Sequence, residues 1–410
     1  MAGIIPAVAR AQTASVIYDF TSANNAGVIP MSLLLADSAG NLYGTAAAGS
    51  TYEHGAVFEL SPPGTKGGAW TSKLLYAFGK TKNSPVSPMY APLTADAKGN
   101  LYGTVGAGLG KESGGVVFKL VKPKTQTAAW KEKILYAFPT TKTTGAQPNG
   151  ANPYGGVVFG PDGDLYGTAA YGGANGAGVV FKLSLQGSTW TQSVLYNFTN
   201  GSDGANPYST LAFDEAGNIY GTALDGGDAH GANGTVFELS PGAGDSWAFQ
   251  TLHSFDASTD GISPQTGVIV DAQGNLYGTT GAGGSTGHGT VFELSPPAAA
   301  GGTWTETILH SFVFATEGGG TFDSNLVADS SGNLYGTNQV GGNTPSGGTV
   351  WELSPPAKSG DDWVETTLHA FTGSPDGFRP QSGVTLVGGK VVGTTPGGGS
   401  GSGTVYQITP

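Results

Sequence analysis

An all-β ring is the fold class this sequence predicts, and three observations predict it. The first is a six-residue stretch, Gly40-Asn-Leu-Tyr-Gly-Thr45, that recurs along the chain. It returns at Gly99–Thr104, Gly217–Thr222, Gly274–Thr279 and Gly332–Thr337, with looser copies at Gly163–Thr168 and Gly389–Thr394, seven in all. Measured between the second glycines, the steps are 59, 64, 54, 57, 58 and 57 residues, the regular period of a repeat architecture. The second observation is that each unit holds four short strand-like runs bounded by turn residues, with no helical periodicity between them. The third lies at the ends. The last unit stops after its third run, Thr404–Ile408, and an unmatched fourth run, Val16–Phe20, precedes any first run. An open solenoid wants polar caps; a ring wants its missing strand supplied by the other terminus. The prediction is a seven-bladed β-propeller of four-stranded antiparallel blades, closed by the N-terminal strand completing the last blade.

Blade 4 shows how each run is specified. The first run, Ser209–Phe213, follows the turn Gly204-Ala-Asn-Pro207 and ends in Asp214-Glu-Ala-Gly217-Asn218. In such a turn Asp bonds the backbone two residues on and Gly supplies a positive φ. The second run is Ile219–Thr222, a Gly-rich loop follows, and the third run is Thr235–Leu239. Ser-Pro and a polar stretch lead to Trp247, and the fourth run closes at Phe255. The Trp-to-Phe spacing is eight residues in six blades, from Trp70 and Phe78 to Trp363 and Phe371. Period-two alternation therefore predicts that both aromatics face the same side of the strand, as core payload between blades.

Composition narrows the function. The 410 residues include 71 Gly, and only 11% are charged. There are no cysteines, which excludes disulfides, thiolate metal sites and cysteine nucleophiles. No run reaches the roughly 18 apolar residues of a membrane span. Net charge is −12, a sign that argues against nucleic-acid binding. Twelve of the fifteen lysines lie between Lys66 and Lys142, making that segment +9 and the remainder −21. That asymmetry reads first as a solubilising surface and, more sharply, as a dipole that could drive electrostatic self-association. Residues 1–12 end in Ala9-Arg10-Ala11-Gln12, the small-x-small form of a signal-peptidase site, so the propeller is expected over 13–410.

The pattern Asp-x-x-Gly-Asn-Leu-Tyr-Gly-Thr, Gly-rich loop, Gly-Thr-Val-Phe-Glu-Leu-Ser-Pro, Trp, Leu-His/Tyr-x-Phe resembles the GloVer (Gloeobacter–Verrucomicrobia) tandem repeat of bacterial exported proteins. The resemblance covers about residues 15 to 410. It implies a secreted or cell-surface propeller and brings no catalytic residues with it.

A site is expected on the face that carries the Gly-rich loops and the links entering each blade, because those segments differ most among copies. The residues that break the Gly-rich background there are Tyr52, Glu53, His54, Lys111, Glu112, Tyr171, Asp225, Asp228, His230, His288, Asp323 and Arg379. The leading expectation is a non-catalytic propeller that binds a glycan or protein partner through this face. One alternative is a carbohydrate-active enzyme, a polysaccharide hydrolase or lyase, with paired carboxylates or a carboxylate and His at the central channel. Another is a self-assembling structural protein. No cofactor, metal or catalytic residue is assigned. His253, His310 and His369 take the place held by Tyr18, Tyr76, Tyr136 and Tyr196 in the fourth run, which predicts a packing role. Asp203, Asp260 and Asp376 before Gly are expected to be turn residues, as are Asp37, Asp96, Asp214, Asp271 and Asp329.

Overall fold

The computed structural model describes residues 12–22, 26–81, 84–108, 113–125, 127–139, 147–227, 233–257, 260–299, 301–320, 324–358 and 360–410. All regular structure among them is β, arranged in seven sheets. Each sheet has four antiparallel strands in its core, called a to d from the axis outward. Blade 4, for example, runs Ala212–Phe213, Ile219–Ala223, Thr235–Pro241 and Trp247–Ser254. Blade 7 takes its outer strand from the start of the chain. Thr13–Asp19 pairs with Thr404–Thr409, from Thr13 opposite Thr409 to Asp19 opposite Thr404. The ring closes as the repeat predicts, and the outer edge of strand c in the last blade is covered.

The repeated hexapeptide builds this frame. Its second glycine is required by close approach: a Cβ on Gly44 would lie 2.7 Å from the Phe58 ring and 2.8 Å from Leu34. Its tyrosine reaches back to the turn. Asp37 accepts the amides of Ala39 and Asn41, the Asn41 side chain and the Tyr43 hydroxyl. The same carboxylate-centred turn recurs at Asp96, Asp271 and Asp329.

Blades are held together by aromatic pairs at the seams. Strand d of one blade sends a Phe against the strand c aromatic of the next, as in Phe20–Phe58, Phe78–Phe118 and Phe198–Phe237, with centroids 5.1, 5.4 and 5.3 Å apart and edge-on. Here one expectation is corrected. Trp and Phe of strand d do not face the same side. In blade 1, Leu74 pairs with Phe58 and Tyr76 with Val57, so Leu75 is an extra, bulged residue. One extra residue reverses the alternation beyond it. Trp70 therefore packs toward blade 7 beside Phe20 and Phe58, whereas Phe78 packs toward blade 2 beside Phe118 and Trp130. The bulge recurs in every blade.

A backbone latch adds to each seam. The residue before the link proline takes a left-handed conformation in Ile29, Ser87, Asn152, Asn206, Ser263 and Arg379. Its N–H donates to the preceding blade, for example Ser87 to the His54 carbonyl at 2.9 Å and Arg379 to the Gly347 carbonyl at 2.8 Å.

Candidate binding site at the channel mouth

The latch turns the following proline so that the next residue reaches the axis. Met89, Tyr154, Tyr208, Gln265 and Gln381 each follow such a proline, and together they line a cavity of about 470 Å³ at the mouth of the central channel. Tyr90, Leu224, Asn325 and Gln339 add to the wall, and no charged side chain lines it among the described residues. A second cavity of about 390 Å³, lined by Leu33, Val158, Leu211, Val268 and other residues in or next to strand a, shares Pro92, Thr210 and Asn325 with the first. The channel is thus amide- and tyrosine-rich at the mouth and aliphatic below it.

One side of the mouth is an aromatic platform. The Tyr154 and Tyr208 rings stack with centroids 5.2 Å apart and planes 6° from parallel. Tyr171 meets Tyr208 edge-on, and their hydroxyls are 2.6 Å apart. Tyr154 lies over Gly106, where a Cβ would come within 2.5 Å of its ring. The Asn152 amide donates to the Tyr154 hydroxyl at 3.3 Å and to the Gly106 carbonyl at 2.8 Å. Burial pushes the Tyr208 phenol up, and the Tyr171 hydroxyl, Tyr154 and Asp225 add to the shift. Burial also raises the Asp225 carboxyl. Across the cavity, Gln265, Gln339, Gln381 and Asn325 present carboxamides, each offering donors and acceptors. Gln381 Oε1 is buried and has no hydrogen-bond partner.

The expected residues are placed unevenly. Tyr171 belongs to the platform, and Asp225 stands beside it, its backbone paired with Ala205. Tyr52, Glu53 and His54 form an exposed turn on the rim of blade 1. His54 and His288 occupy equivalent latch positions, their carbonyls accepting Ser87 N–H and Gly320 N–H. The His288 ring packs on Phe314 at 5.1 Å. Arg379 is the left-handed donor of another latch. These residues do not converge on the mouth. Lys111, Glu112, Asp228, His230 and Asp323 lie outside the described residues, as does the signal-like segment up to Ala11. Sequence reasoning missed Tyr154, Tyr208, Gln265 and Gln381. Their signal was available: each is the residue after the link proline, a place that changes type from blade to blade.

The seams also show what the strand d Tyr or His does. His253, His310 and His369 stand edge-on to Phe255, Phe312 and Phe371, as the packing role predicts. Each also meets a carboxylate seven residues on: Asp260 at 2.7 Å, Glu317 at 2.8 Å and Asp376 at 3.0 Å. In the tyrosine seams the hydroxyl donates to Ser72 from Tyr18, to Glu132 from Tyr76 and to Asp203 from Tyr196. Burial raises the Glu132 carboxyl, partly offset by the Tyr76 hydrogen bond.

Fold and mouth together define a seven-bladed β-propeller with a tyrosine-lined axial opening that carries no charged side chain among the described residues. The chain belongs to the Gloeobacter/Verrucomicrobia repeat family, which matches residues 2–229, 138–322 and 191–406. No curated protein sequence is significantly similar to it. Among solved structures it is similar to a candidate 6-phosphogluconolactonase from Bacteroides uniformis, at 14% identity and TM-score 0.53, over 86% of this chain and 88% of that one. It is also similar to a puromycin-hydrolyzing peptidase of Mycobacterium tuberculosis, at 13% identity and TM-score 0.54, over 96% of this chain and 53% of that one. A third is the extracellular domain of a candidate hybrid two-component system from B. thetaiotaomicron, at 13% identity and TM-score 0.53, over 97% of this chain and 41% of that one. At these identities the likeness establishes the propeller fold alone.

Proposed function

We propose that this protein is an exported, non-catalytic binding propeller that takes a neutral glycan at the channel mouth. The observation that carries the reading is the Tyr154–Tyr208 stack, tied by Tyr171 and faced by four carboxamides. A sugar ring has an apolar C–H face that suits the negatively polarised face of an aromatic ring. Its hydroxyls each donate and accept, which a carboxamide answers with both functions. A concave site with apolar walls and a few converging polar groups is the usual form of a small-ligand pocket. An uncharged lining favours a neutral ligand over an anionic one. Export is supported by the family resemblance and by the signal-like start, Ala9-Arg10-Ala11-Gln12.

The test is a panel of neutral oligosaccharides titrated calorimetrically against the full chain. Saturable binding that weakens about tenfold or more in Tyr208→Ala supports the reading, since anchor residues of an interface carry about 2 kcal/mol or more. Absence of binding across neutral saccharides, or binding indifferent to Tyr208→Ala, contradicts it. Release of reducing sugar during the titration would move the assignment to the hydrolase alternative, with Asp225 the first residue to substitute.

A further inference from the structure

We propose that His253, Asp260 and Glu306 form a binding site for a divalent first-row transition ion of the zinc class, at the seam between blades 4 and 5. His253 comes from strand d of blade 4, Asp260 from the link that follows it, and Glu306 from strand d of blade 5. Each offers one ligand atom, and the three atoms all lie within 4.8 Å of one another. His253 Nε2 is 2.7 Å from Asp260 Oδ2 and 3.8 Å from Glu306 Oε1. A tetrahedral ion with bonds near 2.0–2.1 Å sets its ligands about 3.3 Å apart, a spacing these two distances bracket. One imidazole nitrogen and two carboxylate oxygens suit zinc and its neighbours better than calcium or magnesium, which take oxygen alone.

The donors are oriented in advance. Asp260 is 4% exposed, and its Oδ1 is held by the Asp256 and Gly261 amides at 2.6 and 2.9 Å, leaving Oδ2 for the site. The His253 ring is held edge-on to Phe255 at 4.8 Å, with Nε2 toward the two acids. Such outer contacts fix the ligating atom and the ring orientation in metal sites. Glu306 Oε1 is a buried oxygen with no hydrogen-bond partner, and it points at His253. A buried acceptor left without a donor is costly, and a cation in this gap would satisfy it. The side chains of His253 and Glu306 are 20% and 14% exposed, so the cluster lies close to the surface.

The other histidine seams serve as internal controls. Between blades 5 and 6, His310 pairs with Glu317, but Glu365 Oε1 accepts the Thr367 hydroxyl at 2.9 Å instead of standing free. Between blades 6 and 7, His369 pairs with Asp376, and Ala14 fills the third place. Among the described residues, the three donors converge at the blade 4–5 seam alone. A bound ion would tie two blades together across a seam otherwise held by packing and by the latch from Ser263 N–H to the Asn233 carbonyl.

Zinc titration of the full chain by calorimetry tests this. His253→Tyr installs the residue that four other blades carry at this position, and Glu306→Gln removes one donor while keeping its shape. The expected result is one zinc ion per chain, with affinity lowered at least about 100-fold by either change, because altering groups that merely orient a ligand already costs about 10–100-fold. His310→Tyr and His369→Tyr should leave the affinity unchanged. Added zinc should raise the melting temperature of the unmodified chain and not that of Glu306→Gln. An anomalous-scattering peak between His253 and Glu306 in zinc-soaked crystals of the unmodified protein gives the same answer without any variant. No zinc uptake, uptake unaffected by both substitutions, or an anomalous peak elsewhere overturns the proposal.

Discussion

The two faces of the ring are built from the same seven units and have opposite characters. On the turn face, Asp271 accepts the amides of Gln273 and Asn275, the Asn275 side chain and the Tyr277 hydroxyl at 2.8–3.1 Å. Asp96 and Asp329 do the same in their own blades. These hydrogen bonds all stay within one blade, although the tyrosine rings also pack on the neighbouring blade, as Tyr277 does on Trp363. On the mouth face, the residue after the link proline is Met89, Tyr154, Tyr208, Gln265 or Gln381 by turn, and its contacts cross blades. Repetition marks what the ring needs in order to exist. Divergence at one topological position marks where the proposed ligand site lies.

Substitutions that separate the faces should separate stability from binding. The largest effect is expected from Asp271→Ala, which removes an acceptor of four hydrogen bonds. It should cost about 2–3 kcal/mol in urea unfolding while leaving glycan affinity in the folded protein unchanged. Tyr208→Ala should do the reverse, losing about 2 kcal/mol of binding with a smaller change in stability. If Asp271→Ala weakens binding as much as Tyr208→Ala does, the two faces are not independent and the comparison fails.

Acid unfolding sharpens the contrast. Burial pushes Asp96 up, but hydrogen bonds from Asn100, Tyr102 and Lys98 overcome it and hold the carboxyl at about 2, against an ordinary 3.8. Asp37 and Asp329 are lowered for the same reasons. A lowered carboxyl contributes stability that is present above its unfolded value near 3.9 and is lost as pH falls toward its folded value. The turn face should therefore fail first in acid, between about pH 4 and 2. Asp96→Asn should flatten that limb, moving the acid midpoint by a few tenths of a pH unit, roughly. Glycan affinity should stay level from pH 7 to 9, because the mouth lining carries no charge among the described residues and Tyr208 is raised. The smallest effect is expected from Gln381→Leu, which removes one amide of four and should weaken binding by a factor of about five.

The fold was legible because its determinants are local and repeated. The Gly40–Thr45 stretch recurs with its turn Asp, and the unmatched strand at Val16 announces the closure that Thr13–Asp19 makes with Thr404–Thr409. The bulge at Leu75 was not legible, since Trp70 to Phe78 keeps its length whether or not the pleat is interrupted. The mouth was half legible. Tyr171 and Asp225 stand out against glycine in their loop, whereas Tyr154 and Tyr208 follow Pro153 and Pro207 and read as part of a regular link. Their meaning depends on two consecutive blades bringing them into one stack, a distance no spacing encodes. The same holds for His253 and Glu306, which are 53 residues apart in sequence and face each other only across a seam.

The central claim is that the tyrosine platform, and not the repeated frame, recognises a ligand. Its most direct test is calorimetric titration of a neutral oligosaccharide into the unmodified chain and into the Tyr154→Ala/Tyr208→Ala double variant. The account predicts saturable binding to the first and loss of that binding in the second, with the propeller's circular-dichroism spectrum retained. Equal binding by both proteins, or no neutral saccharide bound by the unmodified chain, would contradict it.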